Sequence, residues 1–131
     1  MTTALLLDTH ALLWTLLEPD RIPGPTLDRI RDPRCELIVS AASAWEIATK
    51  VRLGKLAEAE AVVHGYSGHL VGLGARELPI TSADALTAGS LSWGHRDPFD
   101  RIIVAQCMTR SYPLATADET LTAFPAVTTI W

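Results

Sequence analysis

The chain has 131 residues, of which 48% are hydrophobic and 20% charged, a composition typical of a folded protein and not of a disordered one. The length predicts one domain spanning residues 1–131. A formal net charge of −4 argues against nonspecific binding of nucleic acid through a broad basic surface. No apolar stretch approaches the roughly 20 residues of a membrane helix, so we expect a cytoplasmic protein without a membrane segment.

Five short apolar runs predict β-strands, and helical patterns fill the intervals between them. Strands are expected at residues 4–7, 37–39, 78–80, 114–116 and 127–130. Helices are expected at residues 10–17, 43–53, 57–73, 82–91 and 98–110, with a surface loop over residues 19–25. Strands that alternate with helices indicate an α/β fold in which a parallel sheet is covered on both faces.

Four acidic residues lie at the ends of these predicted elements. Asp8 directly follows the first strand, Asp118 closely follows the fourth, and Glu46 lies in the first turn after the second. Because parallel strands end at one edge of a sheet, these three are expected at the same edge, where ligands of α/β sheets gather. Asp100 begins the last long helix, and topology alone constrains its position less. Together the four carboxylates suggest a shared site for a divalent metal ion.

Each acid also has a purely structural explanation. Asp8 could cap the first helix, and Glu46 could complete a capping box with Ser43 while pairing with Lys50 four residues later. Asp118 could be a first-turn acid stabilised by the helix dipole, beside a second capping box, Thr116-x-x-Glu119. For each residue taken alone, the structural and the metal-binding explanation both remain open.

The lead-in to the last long helix holds two aspartates close together. Asp97 precedes Pro98 and is therefore the better helix cap, which leaves Asp100 as the candidate chemical group. His95 could contact a phosphate, whereas Asp84 is expected to be an ordinary acid at a helix start. The cations near the acids form either a solvated face or contacts to an RNA backbone: Arg101, Lys50, Arg52 and Lys55.

Clustered carboxylates repel one another unless cations are present, and hard oxygen ligands suit Mg²⁺ or Mn²⁺. The chemistry expected of such a site is hydrolysis of a phosphodiester. The chain has no Gly-rich phosphate loop, which argues against an NTPase. His10 stands two residues after Asp8, where an aspartyl-phosphate phosphatase would need a second Asp.

Over essentially its whole length the chain resembles the PIN-domain ribonuclease toxins of the VapC type, from bacterial type II toxin–antitoxin pairs. The segments that carry the resemblance are LLLDTHALLW (5–14), SAWEI (43–47), GKL (54–56), RDPFDR (96–101) and TADE (116–119). It implies a single-domain α/β/α sandwich and a Mg²⁺-dependent endoribonuclease, with Mn²⁺ as an alternative metal. The implied catalytic and metal-binding residues are Asp8, Glu46, Asp100 and Asp118.

The resemblance also implies hydrogen bonds to these carboxylates from Thr9, Asp97 and Thr116. It further implies an RNA substrate, a homodimer and a cognate antitoxin protein, whose candidate contacts are the apolar segment 11–17 and Trp45. Two alternatives remain at this stage: a noncatalytic PIN-like module that binds RNA or protein, and a phosphatase acting on small phosphate esters.

Overall fold

Five strands form one parallel sheet in a computed structural model that describes residues 3–131; residues 1 and 2 of the predicted domain lie outside this range. The strands are β1 (Thr3–Leu7), β2 (Cys35–Ser40), β3 (Arg76–Leu78), β4 (Leu114–Ala115) and β5 (Thr129–Ile130). Their order across the sheet is β3-β2-β1-β4-β5, and every neighbouring pair is parallel. The predicted parallel α/β architecture is confirmed.

Helices connect and cover these strands on both faces. They are α1 (Thr9–Leu17), α2 (Gly24–Arg31), α3 (Ala41–Arg52), α4 (Glu60–Val63), α5 (Tyr66–Leu73), α6 (Ser82–Ser90), α7 (Pro98–Arg110) and α8 (Glu119–Thr122). Within residues 3–131, none of the helices combines the length and the apolar character that crossing a membrane requires.

Two hydrophobic cores lie on the two faces of the sheet because side chains alternate along each strand. In β1, Leu5 and Leu7 belong to one core, whereas Leu6 belongs to the other. The first core includes Leu12 of α1, and the second includes Ile103 of α7. The sheet is therefore the middle layer of an α/β/α sandwich.

Every predicted strand differs from the observed one by one or two residues at one or both ends. The third strand was expected at residues 78–80 but occupies Arg76–Leu78, since Pro79 has no backbone N–H with which to continue the ladder. The fifth was expected at residues 127–130, and only Thr129–Ile130 pairs with β4. The shift of β3 moves the strand end two residues towards the N-terminus.

Two predictions for the connecting segments are wrong. The single helix expected over residues 57–73 is interrupted at Gly65, which has a φ of 74°, a value that favours glycine. The loop expected over residues 19–25 is wrong only at its end: residues 19–23 form a turn and a connection, but α2 begins at Gly24, carries Pro25 in its first turn and buries Ile30. Its few apolar residues made this helix hard to detect in the sequence.

Candidate metal centre

The strand order reverses between β1 and β4. From β1 the chain proceeds to β2 and β3 on one side, and then returns to β4 on the other side of β1. Asp8 follows β1 and Asp118 follows β4, and the Asp8 N–H donates to the Ala115 carbonyl at 3.1 Å. Both acids therefore lie beyond the carboxyl ends of adjacent strands, where open α/β sheets hold their ligands.

The Asp8 side chain is buried, and each of its carboxylate oxygens accepts one hydrogen bond. One carboxylate oxygen accepts from the Ala11 N–H at 2.7 Å, which confirms the predicted cap of α1, and the other accepts from the Thr116 hydroxyl. Burial raises the pKa of Asp8 to about 6, although these two hydrogen bonds oppose the rise. The negative charges of Asp118 and Glu46 raise the pKa further. A nearby cation would counteract both the burial and the negative charges, and would therefore lower the pKa of Asp8.

Thr116 joins the ends of β1 and β4. Its hydroxyl donates to Asp8 and also accepts from the Asp118 N–H at 3.0 Å. The carboxylate of Asp118 caps α8 by accepting from the Thr120 N–H at 2.8 Å. The predicted capping box of Thr116 with Glu119 is therefore wrong, whereas the predicted bond from Thr116 to a carboxylate is present.

Glu46 lies deeper in its helix than the sequence predicted. Ser40 caps α3 by accepting from the Ala42 N–H at 3.0 Å, so Glu46 falls in the second turn and Ser43 is not the cap. The Ser43 hydroxyl instead shares a hydrogen bond of 3.0 Å with the Thr9 hydroxyl. Thr9 thus joins α1 to α3, rather than supporting a carboxylate as expected.

Glu46 is 3% exposed, and only one of its two carboxylate oxygens has a hydrogen-bond partner within residues 3–131. One oxygen accepts from the Lys50 ammonium, as predicted, while its other oxygen, Oε1, is buried and has no partner among the described residues. Burial lowers the pKa of Lys50, but Glu46 and the charges of Asp97 and Asp100 outweigh it and raise that pKa. A buried oxygen without a partner is costly, and a metal ion bound beside it would satisfy it.

The predicted cap of α7 by Asp97 is confirmed, whereas the chemical role of Asp100 stays a prediction. Asp97 caps the helix by accepting from the Phe99 N–H at 2.9 Å and the Asp100 N–H at 3.2 Å. Asp100 Oδ2 lies 2.7 Å from His95 Nε2. Burial raises the pKa of Asp100 to about 6 against the effect of His95, and the charges of Asp97 and Glu46 add to the rise.

The segment before α7 is fixed by Arg101. Its guanidinium donates to four backbone carbonyls at 2.8–2.9 Å, those of Ala88, Leu91, Trp93 and His95. Neither predicted role of Arg101, as part of a solvated face or as a contact to RNA, fits this arrangement. The guanidinium instead sets the position of His95.

The four predicted acids interact electrostatically in pairs. The negative charges of Glu46 and Asp118 raise the pKa of Asp8, and the charge of Glu46 also raises the pKa of Asp100. Glu46 therefore links the two halves of the site. Within the described part of the chain, no three of the four bring ligand atoms within 4.8 Å of one another. One ligand atom each from His95, Asp97 and Asp100 does meet this spacing. His95, expected only as a phosphate contact, is therefore a further candidate metal ligand.

A pocket opens next to the acids that follow β1 and β4. It has a volume of about 250 Å³ and is lined by Asp8, His10, Trp14, Ala117 and Asp118. The rings of His10 and Trp14 lie 5.8 Å apart along α1. The pocket lies on the α1 side of these acids.

Comparisons with known proteins agree with this architecture. The family model of the PIN domain matches residues 5–127. A chain in the crystal structure of VapBC2 from Rickettsia felis, bound to a DNA fragment from its promoter, is 10% identical with a TM-score of 0.69, and the match covers 98% of each chain. A chain of FitAcB from Neisseria gonorrhoeae is 21% identical with a TM-score of 0.61, over 97% of this chain and 96% of that one. A comparison with curated protein sequences gave no match.

Proposed function

The chain belongs to the PIN domain family, and on that premise we propose that it is a metal-dependent endoribonuclease, the toxin of a toxin–antitoxin pair. The proposal depends mainly on the environment of the Glu46 carboxylate. Its oxygen Oε1 is buried without a partner, and its charge acts on Asp8 and Asp100, whose own pKa values are raised to about 6. Such a site is electrostatically incomplete until a cation enters it.

In this proposal Asp8, Glu46, Asp100 and Asp118 hold Mg²⁺ or Mn²⁺, whose preferred ligands are oxygens of this kind. A bound divalent cation would withdraw charge from the scissile phosphate and activate water for its hydrolysis. The remaining groups orient these ligands. The Thr116 hydroxyl fixes the rotation of Asp8, and Lys50 holds one oxygen of Glu46 so that Oε1 stays free.

Cleavage of total cellular RNA by the purified protein tests this proposal. We expect discrete fragments with Mg²⁺ or Mn²⁺, none with EDTA, and none from Asp8→Asn or Asp100→Asn. Asp20→Asn is the matched control, because Asp20 is exposed in the turn after α1 and its substitution should leave cleavage unchanged. Circular dichroism of each variant excludes unfolding as the cause.

Three other outcomes would contradict the proposal or narrow it. Intact RNA together with no calorimetric binding of Mg²⁺ or Mn²⁺ would contradict the nuclease and favour a noncatalytic PIN-like binding module. Cleavage that persists in Asp8→Asn and Asp100→Asn would show a contaminating nuclease. Turnover of a chromogenic phosphate monoester, with RNA left intact, would favour a phosphatase.

The likeness to chains of VapBC2 and FitAcB supports an antitoxin partner, whereas the homodimer stays a proposal. The predicted contact segment 11–17 is only partly available, because Ala11, Leu12 and Leu13 are core residues. Leu17 and Trp45 are the exposed apolar residues of the predicted contacts, at 40% and 53% exposure. We therefore propose that an antitoxin covers Leu17 and Trp45.

Co-purification of the tagged protein with its co-expressed antitoxin tests this contact. Leu17→Ser combined with Trp45→Ser should weaken the complex, whereas Leu86→Ser, at a residue 72% exposed on α6, should not. The proposed surface would be refuted if both variants lost the same amount of co-purified antitoxin, or if neither variant lost any. Light scattering of the free protein reports whether it is a dimer.

A further inference from the structure

His95 stands in direct contact with one of the proposed metal ligands. Its Nε2 lies 2.7 Å from Asp100 Oδ2, and one ligand atom each from His95, Asp97 and Asp100 lies within 4.8 Å of the others. Two neighbouring ligands of an octahedral ion, each bonded at about 2.1 Å, are separated by about 3 Å. The imidazole nitrogen and the carboxylate oxygen are thus already spaced as neighbouring ligands, with a proton between them where a metal ion would bind.

A second observation, independent of this spacing, also points to a missing cation. Glu46 is 3% exposed, and its Oε1 is buried with no hydrogen-bond partner. The one cation bound to Glu46, Lys50, occupies the other oxygen. Glu46 lies on α3, which packs against α7, and its charge acts on Asp100. Glu46 Oε1 is therefore a candidate further ligand of an ion held by Asp100.

The imidazole of His95 is held in place before any ligand arrives. Its backbone carbonyl accepts from Arg101 at 2.9 Å, and its ring lies 4.9 Å from the ring of Trp93. Trp93 in turn stacks on Phe124 with ring centres 4.5 Å apart. The His95 side chain is 26% exposed, so it is accessible without being free to reorient. A ligand fixed in this way binds a metal ion at little entropic cost.

We propose that His95 supplies a nitrogen ligand to the metal centre, and that the centre consequently selects Mn²⁺ over Mg²⁺. This inference rests on the proposed nuclease and specifies its metal. Mg²⁺ takes oxygen ligands almost exclusively in proteins. Imidazole nitrogen suits first-row transition metals, and Mn²⁺ is the member of that series that also favours the carboxylate ligands present here.

Pulsed electron paramagnetic resonance of the Mn²⁺-loaded protein tests the ligand directly. The wild type should show modulation from a coupled ¹⁴N nucleus, and ¹⁵N labelling of histidine should change it. The signal should be lost in His95→Gln and kept in His10→Gln, which removes the other histidine that borders the acids. Because labelled wild-type protein alone identifies a histidine ligand, the test does not depend on the folding of a variant.

Calorimetric titrations of Mn²⁺ and Mg²⁺ measure the selectivity. We expect His95→Gln to weaken Mn²⁺ binding by about 10- to 100-fold, the usual cost of a lost ligand-shell contact, and to change Mg²⁺ binding much less. Absence of histidine coupling in the wild type, or its loss in His10→Gln only, would overturn the inference. If Mn²⁺ binds without nitrogen coupling and RNA is still cleaved, only the role of His95 fails. If neither metal binds, the proposed function fails with it.

Discussion

Asp8 and Asp100 are carboxylates held where burial opposes their charge. Burial is the main cause that raises both pKa values from the ordinary 3.8 to about 6. For each group this difference corresponds to about 3 kcal/mol of destabilisation of the charged folded state. The fold tolerates this cost at two residues that the proposed function uses. A bound metal ion would remove it, so metal binding and folding are coupled.

The first prediction concerns Asp100→Asn in the metal-free protein. A carboxyl group with a raised folded pKa binds more protons when folded, so stability falls as the pH rises from about 4 to about 6. Asparagine does not ionise, and we expect the variant to be more stable than the wild type at pH 7 by about 1–3 kcal/mol, with no difference of this kind at pH 4.

Urea unfolding in EDTA at both pH values measures this difference. Asp20→Asn, at an exposed position, should change stability little at either pH. A loss of stability at pH 7 in Asp100→Asn would mean that the carboxylate is a structural group, and that its charge is compensated within the protein. Asp100 suits this test better than Asp8, whose carboxylate also caps α1.

At the scale of elements, α6 and α7 are joined by a buried ion pair that the sequence analysis did not recognise. Arg110 donates to both oxygens of Asp84, at 2.9 and 3.2 Å, and Gln106 donates to one of them at 3.1 Å. Thr81 completes a capping box with the same carboxylate. Burial alone would raise the pKa of Asp84, but these hydrogen bonds outweigh it and lower the pKa to about 2.

The second prediction is that Asp84→Ala destabilises the protein by about 2–4 kcal/mol at pH 7, because it leaves Arg110 without its partner. Since the folded pKa is depressed, this contribution is present above about pH 4 and is lost as the pH falls towards 2. Thermal or urea unfolding measures it, with Asp28→Ala on exposed α2 as the matched control. Equal free energies of unfolding for the two variants would show that the Asp84–Arg110 pair contributes nothing to stability.

At the scale of the whole molecule, the parallel sheet determines where function can arise. The strand order reverses between β1 and β4, which places Asp8 and Asp118 beyond the ends of adjacent strands. Glu46 and Asp100 lie on α3 and α7, which pack against each other. The four acids thus lie on separate elements from β1 to α8, so the proposed site requires most of the chain.

The positions of Asp8 and Asp118 were predictable because a strand end is visible in the local sequence. The division of roles between Asp97 and Asp100 was equally local, since it follows from a proline at the start of a helix. The place of His95 was not predictable. It depends on hydrogen bonds from Arg101 to four carbonyls across the loop before α7, which no short sequence pattern specifies.

Calorimetric titration of Mn²⁺ at pH 6, in buffers of different ionisation enthalpy, tests most directly whether the carboxylates form one metal centre. With Asp8 and Asp100 each half protonated near pH 6, binding should release about one proton per ion, and release should approach zero at pH 8. The combined Asp8→Asn and Asp100→Asn variant should bind no ion. Binding that persists unchanged in this variant, or no binding by the wild type, would contradict the account.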